Sequence, residues 1–153
     1  MLPKYEAIYL PLLLEIAERG GKTRPSDHRG GRNVYDALAV CFNLTREDLD
    51  AVVDGPVVES KWENMVRWAR RKLVDMGYID GAEWGVWKLT KKGLEAAKRK
   101  RIPDLKIDEK LIKNILELPL IARSEVVKVI ADHAKKAGDI ELFEKLRKAG
   151  LLE

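Results

Sequence analysis

The sequence predicts a mainly α fold with one small β-hairpin, and three observations predict it. Apolar residues recur at helical spacing along most of the chain. Capping residues and glycine stops bracket those stretches. One run, Tyr78 to Thr90, is rich in β-formers around a glycine-bounded turn.

The elements follow in order. Lys4 to Arg19 places Tyr5, Ile8, Leu12 and Ile16 on one stripe, with Tyr9 and Leu13 flanking it, which predicts a helix stopped by Gly20-Gly21. Lys22 to Asn33 contains Pro25, Gly30 and Gly31 and no apolar residue, so it predicts a loop with at most a short extended piece. Val34 to Leu44 reads as a second, strongly apolar helix. Thr45 then stands as an N-cap with Asp48 at the capping-box position, predicting a short acidic helix over TREDLDAVV that Gly55-Pro56 ends. Ser60 and Glu63 form the same box and open a helix from Lys61 to Met76, with Gly77 as its stop. Tyr78 to Asp80 and Val86 to Thr90, separated by Gly81 to Gly85, read as the hairpin. A further helix with a basic end follows from Thr90.

Pro103 pushes Ile102 out of the helical region and marks a boundary. Beyond it, Glu109 to Leu118, Glu125 to Ala137 and Ile140 to Ala149 read as three short helices, with Asp108, Ser124 and Asp139 as N-caps. Two units are expected: residues 1–102, and residues 103–153 as a packing or oligomerisation module. Helices this short need a partner surface. They are expected to pack on each other, on the first unit, or on a second copy as a homodimer.

A chain of 153 residues holds one ordinary domain or a small domain with an appendage, which excludes a large multi-domain enzyme. Charged residues make up 35%, against the usual quarter, as for a heavily ion-paired helical surface. The net charge of +4 is uneven: residues 1–102 hold 19 Lys and Arg against 15 Asp and Glu, and the remainder 10 against 10. The excess positive charge therefore lies where phosphate would be met. Cys41, the single cysteine, lies in the apolar run Ala37 to Phe42 and reads as a small buried hydrophobe. It can form neither an internal disulfide nor a zinc finger. Glu6, Glu15 and Glu18 interrupt the apolar N-terminal cluster, and no stretch is long enough to span a bilayer. No membrane partner and a cytoplasmic location are expected.

The order helix, helix, helix, hairpin is that of a winged helix-turn-helix, in which the third helix enters the DNA major groove and the hairpin lies beside it. On the Lys61 to Met76 helix, Trp62, Val66, Ala69, Leu73 and Met76 share one stripe, and Ser60, Asn64, Arg67 and Arg71 face the other way. Arginine offers a bidentate fork to guanine, asparagine pairs with adenine, and a serine hydroxyl reaches base or phosphate. Arg70 and Lys72 flank that row, Lys61 joins it, and all three can meet phosphate. Further cations lie in the second loop, Lys22, Arg24, Arg29 and Arg32, and after the hairpin, Lys91 and Lys92. The alternative is a merely solvated face, with Glu63 and Arg67 as an i,i+4 pair.

Asn64, Trp68, Ala69, Arg70, Leu73, Gly77, Gly85, Val86, Trp87, Thr90 and Gly93 stand in an order that resembles the N-terminal winged-helix domain of Mrr-type restriction proteins. Tyr5, Ile8, Pro11, Leu12 and Leu13 resemble that family's opening, so the resemblance covers roughly residues 4–97. It implies a winged helix that targets DNA, with modified bases among the targets. Two departures accompany it. The family's wing usually carries Arg or Lys before Gly-Val-Trp, whereas this one reads Asp80-Gly81-Ala82-Glu83-Trp84, which leaves Trp84 to pack or to stack on a sugar or an extruded base. The resemblance also implies a following nuclease domain of the PD-(D/E)xK class. Pro103-Asp104 and Asp108-Glu109-Lys110 imitate its pattern, but three intervening residues cannot form the strand hairpin that holds two carboxylates and a lysine around a metal.

His28 and His133 have no Cys or His partner at metal spacing, and Gly30-Gly31 lacks a Walker-type ending. No catalytic residue, metal or cofactor is therefore expected. The expected function is sequence- or modification-dependent binding of double-stranded DNA, as a transcription regulator or a stand-alone targeting module related to restriction systems. Two alternatives stay open: a winged-helix scaffold for protein interaction, and an accessory subunit recruiting a separately encoded nuclease.

Overall fold

The computed structural model describes residues 2–102 and, beyond them, residues 113, 115–118, 123–124, 126–128, 130–131 and 140–151. The core is built around helix α1, Tyr5–Glu18, in which Ala7, Ile8, Tyr9, Leu10, Leu12, Leu13 and Ile16 are all buried. That is more than the single stripe expected, because three helices surround it: α2 (Val34–Cys41), α4 (Lys61–Asp75) and α5 (Lys91–Arg99). Between α2 and α4 lies the short α3, Arg46–Asp50, whose capping box forms as expected: Thr45 Oγ1 accepts from Asp48 N–H and the Asp48 carboxylate accepts from Thr45 N–H.

Strand β1 (Lys22–Thr23) supplies the extended piece of the second loop and pairs antiparallel with β5 (Trp87–Leu89), which also pairs with β4 (Ile79–Asp80). The sheet order β1-β5-β4 and the helices packed on it make this a winged helix, mainly α. Trp87 and Leu89 point into the core and Lys88 points out, which is the period-two alternation of a half-buried strand. Lys22, Lys88 and Asp80 stand in register across the outer face.

The structure differs from the sequence reading at the ends of two helices, and among the described contacts the Ser60 cap forms without the reciprocal Glu63 half of the expected box. Helix α3 ends at Asp50 instead of running through Val53, because Val52–Val53 form strand β2 and pair with β3, Glu59–Ser60. Two valine pairs around Asp54-Gly55-Pro56 favour a hairpin over a last helical turn. Helix α2 ends at Cys41 instead of Leu44, since Asn43 turns to a φ of 51° and lets Asn43 and Leu44 donate back to Val40 and Ala39.

A knot of backbone contacts joins α4 to α5. Gly77, at a φ of 84°, donates to Val74 O, and Tyr78 donates to Leu73 O, the paired bonds of a Schellman stop. Thr90 caps α5 by accepting from Gly93 N–H at 3.0 Å, donates its hydroxyl to Gly77 O at 2.6 Å, and donates its N–H to Tyr78 O. Gly93 passes so close to Tyr78 that a Cβ there would lie 2.0 Å from the Tyr78 carbonyl oxygen. Lys92 reaches back to donate to Met76 O and lies over the Tyr78 ring.

Beyond residue 102, the expected helix Ile140 to Ala149 is present as Ile140–Lys148. The expected helices Glu109 to Leu118 and Glu125 to Ala137 fall largely outside the described residues. Leu118 belongs to the same buried cluster as Ile102 and α1, and Val126 packs against it.

Two outcomes follow. Gly93→Ala is expected to lose about 2–4 kcal/mol of stability in urea unfolding, because the obstructing atom is backbone and cannot turn aside. Burial, with Glu6 and Tyr5 adding to it, pushes the Tyr9 phenol up to about 12. The folded state therefore keeps a proton that the unfolded chain releases near pH 10, so stability is intact below that pH and falls as pH rises toward 12. In thermal melts across that window, Tyr9→Phe should lose less stability than the wild type.

Candidate nucleic-acid interface

Helix α4 presents its apolar stripe inward, with Trp62, Val66, Ala69 and Leu73 buried. Trp62 fastens the helix to α2 by donating its indole N–H to Tyr35 O at 2.9 Å and by an edge contact with Phe42. The remaining surface of α4 is therefore held at a definite angle to the rest of the fold.

On that surface Lys61, Trp68, Arg71, Lys72 and Asp75 are exposed, while Ser60, Asn64 and Arg67 are half-buried. Ser60 Oγ is engaged as the helix cap, accepting from Glu63 N–H at 3.3 Å. Arg67 does not pair with Glu63 across one helical turn but binds the Glu59 carboxylate of β3. Burial works against its charge, but the Tyr35 hydroxyl and the Glu59 and Glu63 carboxylates hold its guanidinium above its ordinary value. Among the described residues Arg71 has an exposed 3.8 Å pairing with Asp75, a contact of little energy. At the centre of the face lies Trp68, 55% exposed. Sequence reasoning treated Trp68 only as part of the matching pattern. Its angular position, between Arg71 and Lys72 on the helical wheel, was the available signal.

Arg70 points toward the wing. Its guanidinium lies 5.8 Å from the centre of the Trp87 ring, and its Nη2 is 3.8 Å from where a Cβ on Gly81 would stand. Its Nε is buried without a hydrogen-bond partner among the described residues. Burial, with Arg71 adding to it, pulls its affinity for the proton below the ordinary value, although arginine stays charged. On the other side of the wing, Arg24 Nη1 lies 3.4 Å from the corresponding position on Gly85. The wing loop is thus flanked by one arginine from α4 and one from the segment after β1. The loop itself is acidic and aromatic: Asp80 Oδ1 accepts from Ala82 N–H at 2.9 Å, Val86 donates to Glu83 O, and Trp84 is 93% exposed.

The other basic residues divide by role. Arg29 donates to Glu18 O at the end of α1, and Arg19 donates to Asp27 O and Arg32 O, so the second loop is stapled to α1. Its tip is a two-residue hairpin in which Arg29 and Arg32 exchange backbone bonds around Gly30 and Gly31, both at positive φ. Lys22, Arg32 and Lys91 are exposed, whereas Lys92 serves the α4–α5 junction. Among the described residues no three His, Cys, Asp or Glu side chains gather as a metal site, and no helix is long and apolar enough to cross a membrane.

No curated protein and no solved structure matches the chain. The profile of the Mrr N-terminal domain matches residues 5–99, which spans the three-helix core, the sheet, the wing and α5. Matched positions such as Gly77, Trp87, Thr90 and Gly93 are those that build the α4–α5 junction and seat Arg70. The chain belongs to the Mrr N-terminal domain family.

Proposed function

We propose that this restriction-system-related domain binds double-stranded DNA in a sequence- or modification-dependent way, as a targeting module or regulator, without catalysis of its own. The observation that carries this reading is the exposed face of α4, which presents Lys61, Arg71 and Lys72 together with Trp68 and a single carboxylate, Asp75. In a major groove, Arg71 supplies the fork for guanine, Asn64 the amide for adenine, and Trp68 an apolar surface for a base-edge methyl group. Lys61 and Lys72 meet the phosphates on either side. Arg67, held by Glu59 and Tyr35, orients the helix and keeps its charge near the groove. Arg70 and Arg24 grip the backbone beside the wing. DNA as the partner carries with it a cytoplasmic location.

One observation favours a second reading, in which the domain also recruits a separately encoded protein such as a nuclease. The β2–β3 hairpin exposes Val52, Val57 and Val58, the last by 85%. Contiguous apolar exposure of this kind suits a protein partner better than a phosphate backbone.

Affinity for duplex DNA is expected to fall steeply between low and physiological salt, as counterions are displaced from several phosphates. Absence of duplex binding at low ionic strength, measured by anisotropy, would sink the reading. Within it, Arg71→Ala should cost about 1–3 kcal/mol on preferred sequences and flatten the preference, whereas Lys72→Ala should weaken all sequences alike and reduce the salt slope by about one. Equal affinity for methylated and unmodified duplexes would remove modification dependence and leave sequence dependence.

A further inference from the structure

The wing tip of this protein is unsuited to the usual task of a wing. It carries Asp80 and Glu83 and no cation, so it repels the phosphate backbone along which the hairpin would lie. It nevertheless displays Trp84, the most exposed large apolar side chain described, at 93%. A tryptophan normally buries most of its surface. Within the loop Trp84 has little apolar company: its chain neighbours are Glu83 and Gly85, and Ala82 is the only other apolar residue between Gly81 and Gly85. A single indole beside a carboxylate offers little of the contiguous apolar area that marks protein-binding patches.

What remains for it is an aromatic face. The loop is braced at both ends, by Asp80 on Ala82 N–H and by Val86 on Glu83 O, so the tip holds its shape without a ligand. Arg70 stands against Gly81 and Arg24 against Gly85, so a cation lies beside each end of the loop that carries Trp84.

Resting on the DNA-binding reading above, we infer that Trp84 stacks on a nucleobase that the bound protein takes out of the helical stack, with Arg24 and Arg70 holding the flanking phosphates. Base–indole stacking tolerates any base and needs no hydrogen bond. The wing then contributes affinity at sites where unstacking costs least, while α4 reads base edges.

The test compares wild type, Trp84→Ala and Trp84→Phe on matched duplexes and on duplexes with a single mismatch. Because the side chain is exposed, all three should melt at the same temperature. Trp84→Ala should lose about ten- to hundred-fold in affinity with an unchanged salt slope, and Trp84→Phe should recover most of it. A mismatch, which lowers the cost of unstacking, should tighten wild-type binding and leave Trp84→Ala unaffected. The emission of Trp84, taken as wild type minus Trp84→Phe, should be quenched by DNA. If Trp84→Ala binds like wild type with salt-dependent affinity intact, and mismatches change nothing, the inference is overturned while DNA binding stands. If wild type binds no duplex at low salt, both readings fall.

Discussion

The architecture depends on one close approach, that of Gly93 to the Tyr78 carbonyl. It lets the start of α5 lie directly on the end of α4, and Thr90 then bonds both sides of the crossing with a single hydroxyl. Everything between Ile79 and Leu89, including the whole wing, is a loop closed by that crossing. The angle between wing and α4 is therefore set by backbone hydrogen bonds and by the absence of one methyl group. Side-chain packing contributes afterwards: Trp87 meets Tyr35 edge-on on one side and Arg70 on another, and so links the sheet, α2 and α4.

The same economy governs charge. Of the arginines on or near α4, one is held by a carboxylate and a tyrosine, one is stacked beside the wing, and one is nearly free. These are three different degrees of preorganisation on one helix. A guanidinium already stacked loses little freedom when it meets a phosphate, whereas an exposed one keeps the adaptability needed to find a base edge. Position on the helix thus sets how firmly each guanidinium is held, although the residue type is the same.

The parts of this fold visible in the sequence are those encoded locally. Capping residues at Thr45 and Ser60, the stop at Gly77 and the alternation Trp87-Lys88-Leu89 each act within a few residues, and each appears where the pattern places it. The β2–β3 hairpin was missed because two-residue strands leave almost no periodicity, and a helix cap just before them suggested continuation. The candidate interface was only half legible. Arg71 and Lys61 lie exposed as their spacing on α4 implies, but Arg67 is drawn away by Glu59, which comes within reach only once that hairpin folds back. The seating of Arg70 on Trp87 and of Arg24 beside Gly85 are contacts between separate elements, for which no local signal exists.

The placement of Arg24 and Arg70 outside the wing has a consequence for how such a domain can diversify. The cations beside the wing sit outside it, Arg70 on α4 and Arg24 in the segment after β1, while the loop from Gly81 to Gly85 carries only the negative charge of Glu83. Substitutions in the loop can then reshape the wing tip without removing the cations beside it. Tip and cations are written on different stretches of chain, so each is free to drift under its own selection.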